Sequence, residues 1–182
     1  MKRLFIAFMF VIATPLLAQA TVDHQHDFDY LLGDWEMSGT NQQYGPFRGY
    51  WSAARLDDAN IIDEYRVVGE KGETYYVTRM LRSYNAKTKE WELVSTDNGT
   101  GLQNTGIGHR EGGEVRIEQK FGPAILRIRY YDIGPDRFSW TADRSTDGGK
   151  TWKTNFQQLQ ARRTGPSRSL ALTTATATSS KP

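Results

Sequence analysis

Between Gly33 and Leu159 the chain alternates apolar and polar side chains in short runs, each ended by turn-forming residues. The clearest run is Glu114 to Phe121, where Val115, Ile117, Gln119 and Phe121 alternate with Arg116, Glu118 and Lys120. A period of two puts the first set on one face and the second on the other, the pattern of a half-buried strand. Ile125 to Ile133 repeats it, with Leu126, Ile128 and Tyr130 opposite Arg127, Arg129 and Tyr131. Glu73 to Tyr84 differs in carrying bulk on both faces, which predicts a strand wedged between layers or lining a cavity. Further strands are predicted over Gly33–Gly39, Pro46–Leu56, Ile61–Val68, Trp91–Thr96, Leu102–Arg110, Arg137–Ser145 and Thr151–Leu159. Gly106 and Gly108 loosen the sixth run and allow a bulge, a sharp bend or a close approach. Ahead of them all, Phe28, Leu31 and Leu32 have the three- and four-residue spacing of a short helical turn, ended by Gly33.

About ten strands at short intervals with tight turns predict an all-β, antiparallel fold, because parallel crossovers need intervening helices. A closed barrel leaves no sheet edge, so a barrel is favoured over a sandwich.

The two ends of the chain depart from this pattern. Lys2-Arg3, the apolar run Leu4 to Ala13 and the small residues up to Ala20 have the layout of a secretory signal peptide, so residues 1–20 are assigned to a leader. That places the mature protein in the periplasm or outside the cell. The barrel domain is assigned to residues 21–163. Residues 164–182 form a Thr/Ala/Ser-rich tail with little to bury, predicted to be disordered. After the leader, no segment is long and apolar enough to span a bilayer as a helix.

Charge adds an exclusion. The chain has 23 Lys and Arg against 21 Asp and Glu, and without Lys2 and Arg3 the two signs balance. The barrel region lacks the basic footprint of a nucleic-acid binder. With no cysteine, disulfides and thiol nucleophiles are excluded, and the fold must be held by its core.

Arg144 to Phe156 centres on Asp147-Gly148-Gly149, a reverse-turn signal between two strand-like runs. Ser145-x-Asp147-x-Gly149-x-Thr151-Trp152 resembles the Asp-box, a structural hairpin of sialidases and other β-propellers; one copy does not build a propeller. This hairpin, the stretch from His26 to Trp35 and the segment from Leu81-Arg82-Ser83-Tyr84 to Trp91 together resemble an uncharacterised family of exported bacterial proteins similar to calycins. Calycins include lipocalins and fatty-acid-binding proteins. The resemblance implies a ligand-enclosing antiparallel barrel with a helical lid or plug near its start, and brings no established catalytic set. Some calycin-like barrels bind haem through a histidine near the chain end, a position that His24, His26 and His109 do not match. Trp35, Asp147, Gly149 and Trp152 are assigned structural roles, and the opening and closing motifs are expected to meet where the barrel closes.

Candidate chemistry is sparse. His109 is the one histidine within the sheet region and, if it faces inward, can hydrogen-bond a ligand or transfer protons near neutral pH; an exposed hairpin-end position is the plain alternative. Arg79, Arg127 and Arg129 can bind a carboxylate if they point inward, or cover the outer surface with their stems if they do not. Tyr65, Trp91, Tyr130 and Trp140 are candidate cavity aromatics, with Tyr44, Trp51, Tyr75, Tyr76 and Tyr131 beside them. Asp63 and Glu64 are neighbours on opposite faces, a poor arrangement for an acid/base pair. No metal site or cofactor is assigned, since the spacing of His24 and His26 lacks further ligands. The leading reading is a barrel that binds a small hydrophobic or amphipathic molecule. The rivals are an isomerase, cyclase or hydrolase using the same cavity, with His109 transferring protons, and a structural or protein-interaction domain whose barrel is filled by its own aromatics.

Overall fold

The computed structural model of the protein describes residues 24–97 and 101–169, with the backbone alone at Gln103 and Ser169. Residues 1–20, the expected leader, together with residues 21–23, residues 170–182 of the expected tail and residues 98–100 of the Asp97–Gly101 loop, lie outside the described residues. The predicted turn becomes two 3₁₀ turns, His24–His26 and Asp29–Leu31. Among the described residues eleven strands follow: β1 Gly33–Asn41, β2 Gly45–Arg55, β3 Asn60–Val68, β4 Thr74–Asn85, β5 Glu90–Asp97, β6 Leu102–Glu111, β7 Glu114–Phe121, β8 Ala124–Tyr131, β9 Arg137–Ser145, β10 Lys153–Gly165 and β11 Arg168–Ser169.

Each strand from β1 to β10 pairs antiparallel with the next, and β10 returns to β1, with Trp35 opposite Arg163 and Asn41 opposite Gln157. The ten-stranded sheet is therefore closed, which satisfies the edge groups that an open sheet would expose. Sheet pairing continues beyond residue 163: β11 lies parallel to β2, opposite Ala54 and Arg55, just past the point where β1 begins at Gly33 opposite Ala53. Gly165-Pro166 marks a turn just before this strand, but two residues are too few for alternation to announce it.

The 3₁₀ turns plug one end of the barrel. Phe28 and Leu31 are fully buried there, and Phe28 meets the edge of Trp91 with ring centroids 5.2 Å apart. Polar anchors fix the plug at both ends. The buried Asp27 carboxylate accepts a hydrogen bond from the Arg110 backbone N–H at 3.0 Å and pairs with the Arg110 guanidinium at 3.3 Å. Arg163 donates to the carbonyls of Leu32 and Tyr30, while its guanidinium stacks 4.1 Å over Trp35. The Trp35 indole donates to the Leu31 carbonyl at 2.8 Å. Gly33 turns the chain from plug to sheet at φ +113°, a conformation open to a residue without Cβ. Gly108 lies close under the neighbouring strand: a Cβ there would lie 3.0 Å from Ile117 Cγ1 and 3.3 Å from the Arg116 carbonyl, and in ordinary contact with the Phe28 ring at 3.5 Å. Close approach is thus its role; the β5–β6 irregularity falls at Ser95/Thr96.

The Asp147 hairpin lies at the opposite end of β9 from the plug, contrary to the expectation that the two motifs meet. Phe138, near the start of β9, packs on Trp35 at 4.8 Å, whereas Ser145 ends the strand and donates to Asp147 at 2.8 Å. Asp147 also accepts from the backbone N–H groups of Lys150 and Thr151 and from the Thr151 hydroxyl. These bonds, led by the Thr151 hydroxyl, hold its carboxyl down at about 2. Trp152 donates to the Gly149 carbonyl at 3.0 Å. Its ring packs outside the barrel under the Arg127 guanidinium, 4.0 Å away, and not at the β1–β10 closure.

Candidate functional site: the barrel cavity

Above the plug, the inward side chains leave a cavity of about 760 Å³. Its mouth lies at the end away from the plug, where the lining residues Tyr44 and Tyr75 are exposed. The walls are mainly apolar, with Phe47, Val67, Met80, Leu126, Ile128 and Trp140 among them. Period-two alternation produces this lining: Tyr76, Thr78, Met80 and Arg82 share the inner face of β4, while Arg79 and Leu81 face out.

The floor is charged but balanced. Arg82 is 0% exposed and its Nε donates to Asp63 Oδ2 at 2.6 Å. Asp63, 4% exposed, accepts at its other oxygen from the Trp51 indole N–H at 2.9 Å. The Arg82 guanidinium lies 4.5 Å over the Phe28 ring and donates weakly to the Tyr130 hydroxyl at 3.4 Å. Burial works against its charge, but attraction to Asp63, the Asp63 hydrogen bond and the Tyr130 and Tyr30 phenols together hold its pKa above the ordinary value. Burial also raises the Tyr130 and Tyr30 phenols, so both remain protonated.

Arg82 Nη1 and the Tyr30 hydroxyl are buried without a partner among the described residues, whereas the Trp140 indole N–H is set against the Tyr130 hydroxyl. Arg82 belongs to the cavity lining. Buried polar groups are ordinarily satisfied, so a free donor there is informative.

A second polar set runs up the wall. Gln157 accepts from Asn41 at 2.8 Å and donates to the Tyr65 hydroxyl at 2.9 Å, and Gln119 donates to the buried Ser95 at 3.2 Å. Burial pushes the Tyr65 phenol far up, and does the same for Tyr76, with the neighbouring Asp97 adding to the effect. Burial raises the Asp97 carboxyl in turn, opposed by its hydrogen bond with Tyr76. Arg144 lines the cavity with its guanidinium 5.0 Å over the Phe156 ring. Asp63, Asp97, Arg82 and Arg144 are the ionisable acids and bases among the lining residues, two of each sign.

The predicted site residues divide between interior and surface. Tyr65, Tyr130 and Trp140 line the cavity together. Trp91, on β5, is buried against the plug and away from the cavity lining, and its indole donates to the His24 carbonyl at 2.8 Å. Arg79 faces out and pairs with Glu64 at 2.9 Å; Arg127 pairs with Glu118 at 3.2 Å on the outer face. Arg129 is likewise outside, over the Tyr131 ring at 4.7 Å. His109 is exposed opposite Arg116, because Gly108 takes the inward position and alternation turns its neighbour outward. It does not line the cavity. Among the described residues no group of three or more His, Cys, Asp or Glu is placed to hold a metal ion, and no helix is long and apolar enough to cross a membrane.

The inward arginine, Arg82, was not among the candidates, although the sequence carries its signal. Ile61-x-Asp63-x-Tyr65 and Met80-x-Arg82-x-Tyr84 each place a charge on an otherwise apolar strand face, with opposite signs on consecutive strands. Such charges must find each other if both faces are buried.

Rv2717c from M. tuberculosis is similar to this chain in structure, with a TM-score of 0.58 at 15% identity, covering 76% of this chain and 96% of that one. The S-type phycobiliprotein lyase CPES from Guillardia theta gives 0.54 at 14% identity, covering 77% and 92%. The fold is calycin-like. At these identities the likeness concerns the fold alone. No protein-family model matches the chain, and no curated protein matches it in sequence.

Proposed function

We propose that this calycin-like protein binds a small hydrophobic or amphipathic molecule inside its barrel. The observation that carries the reading is the cavity of about 760 Å³, walled mainly by apolar side chains and crossed by a few buried polar groups. Small-molecule sites have this combination, with volumes of roughly 300–1,000 Å³. A barrel filled by its own aromatics would leave no such space, which weighs against a purely structural role. The enzyme reading loses support because His109, its proton-transfer group, is on the outer face. The charged side chains that remain inside are engaged in the Arg82–Asp63 pair or lie toward the mouth. Export to the periplasm or beyond, on the strength of the leader sequence, is part of the same proposal.

The test is native mass spectrometry of the protein purified from its own host without denaturation, with extraction and identification of any retained compound. Retention of an apolar or amphipathic molecule supports the reading. Failure to retain one, together with no binding in a broad screen of hydrophobic ligands, would overturn it.

A further inference from the structure

We infer that the cavity takes an amphipathic molecule with an oxyanion head, a carboxylate or a phosphate. The head is held at the mouth between Arg144 and Lys153, and the apolar body points down into the barrel. This rests on the ligand-binding reading above and specifies the chemistry and orientation of the bound molecule.

Of the charged groups on the cavity lining, Arg144 is the one without a counter-charge. Arg82 and Asp63 are ion-paired at the floor, 2.6 Å apart and sealed from solvent. Asp97 is engaged in a hydrogen bond with Tyr76 and stands on β5, four strands round the ten-stranded ring from β9. Arg144, the penultimate residue of β9, forms no ion pair among the described residues; its half-buried guanidinium lies 5.0 Å over the Phe156 ring. Its cross-strand neighbour adds charge of the same sign. Lys153 is directly opposite Arg144 in the β9–β10 register, and like charges so placed repel. Lys153 is exposed and likewise forms no ion pair among the described residues. The acids nearest in the chain are turned to the hairpin. Asp143 accepts from the Asn155 backbone N–H at 2.7 Å, and Asp147 from the backbone N–H groups of Lys150 and Thr151 and the Thr151 hydroxyl.

The space around these two cations fits a head group. Arg144, Thr146, Thr151 and Lys153 line a recess of about 90 Å³. Arg144 also lines the main cavity, so the recess and the cavity adjoin at its side chain. An oxyanion in the recess meets a planar guanidinium able to donate two parallel hydrogen bonds, with an ammonium beside it. At the mouth the head stays in reach of water, whereas at the floor it would be a buried charge beside an arginine that Asp63 already neutralises. Leu126 is opposite Arg144 on β8 and, with Ile128 and Phe156, lines the apolar wall that would cover the body of the molecule.

The proposal is tested by displacement of Nile red, a neutral environment-sensitive dye, from the wild-type protein. Competitors are a straight-chain carboxylate, the phosphate monoester and the primary alcohol of the same chain length, each below its aggregation threshold at neutral pH. At low salt at least one of the two anions should displace the dye at about ten-fold lower concentration than the alcohol, and the better of the two names the head that the recess takes. Arg144→Gln should remove most of that advantage while changing the alcohol by less than about three-fold, and Arg144→Lys should retain part of it. Thermal unfolding run alongside establishes that both variants fold. Raising the ionic strength from about 0.01 M to about 1 M should reduce the wild-type advantage several-fold, because charges at an open mouth are screened. If neither anion competes better than the alcohol, the oxyanion proposal is overturned while ligand binding stands. An advantage that survives in Arg144→Gln or is indifferent to salt places the head elsewhere and overturns the orientation. If neither Nile red nor any competitor binds, and native mass spectrometry finds no retained compound, the binding reading falls and this proposal falls with it.

Discussion

Arg82 Nε and Asp63 Oδ2 lie 2.6 Å apart beneath the cavity, one residue fully buried and the other nearly so. The pair joins adjacent strands β4 and β3, and the Arg82 guanidinium also covers Phe28 of the plug. It therefore connects the packed end of the barrel to the ligand space. Removing one member leaves the other charge buried with too few partners. Arg82→Met is expected to destabilise the fold by about 3–5 kcal/mol, and Arg82→Met with Asp63→Leu by clearly less, because the double variant leaves no orphan charge. Urea denaturation of the three proteins checks this; equal losses in the single and double variants would contradict it.

Phe28 is held by contacts with Trp91, Tyr130 and Arg82, and it fills the space above Gly108. Phe28→Ala should cost about 3–5 kcal/mol through lost burial and the cavity left behind. Thermal unfolding should show a lower midpoint, with amide exchange at the plug accelerating before that of the central strands.

The Asp147 hairpin gives a pH dependence with a definite sign. Its folded carboxyl titrates at about 2, below the ordinary aspartate value, because the charged form accepts from Thr151, Ser145 and Lys150. Its stabilising contribution is fully present above the unfolded value of about 3.9 and is lost as pH falls through about 2. Amide exchange at Lys150 and Thr151 should rise relative to the intrinsic rate across that window in the wild type. Asp147→Ala should lose these bonds at all pH values and show no such step.

His109 is exposed on β6 and outside the cavity. His109→Ala should change stability by less than about 0.5 kcal/mol and leave Nile red affinity unaltered. A large loss of binding would place this residue in the site after all.

Leu126 lines the cavity and is partly buried where it packs against the core. Leu126→Trp should fill ligand space and weaken Nile red binding by about ten-fold or more, since bulk added to a site excludes the dye that used it. Circular dichroism should remain that of a folded barrel; undiminished dye binding would place the dye elsewhere.

Much of the fold was legible because strand structure writes itself into sequence with period two. Glu114–Phe121 and Arg137–Ser145 form strands with the bounds that their alternation and flanking turns predict. β11 was not legible: its two residues pair with β2 only because β1 starts at Gly33 and leaves Ala54 and Arg55 open. That is a property of register between distant segments.

The candidate site was legible in part for a related reason. Alternation assigns side chains to two faces of a strand but does not say which face is inside, and it separated Tyr65 from Glu64 without placing either. Arg79, Arg127 and Arg129 were candidates and Arg82 was not, because a strand read by itself does not say which of its arginines faces inward. Once β3 is registered against β4, Asp63 lies opposite Met80, and Arg82, two residues on, reaches it on the inner face.

The sequence by itself determined the strands, their tight turns and an all-β antiparallel architecture, since these depend on neighbours within a few residues. Tertiary structure alone decided that His109 faces out, that the plug and the Asp147 hairpin occupy opposite ends, and that Arg82 is neutralised within the barrel. Those outcomes depend on strand register and ring closure, which bring together residues far apart in the chain and thereby fix which charges and donors surround the cavity.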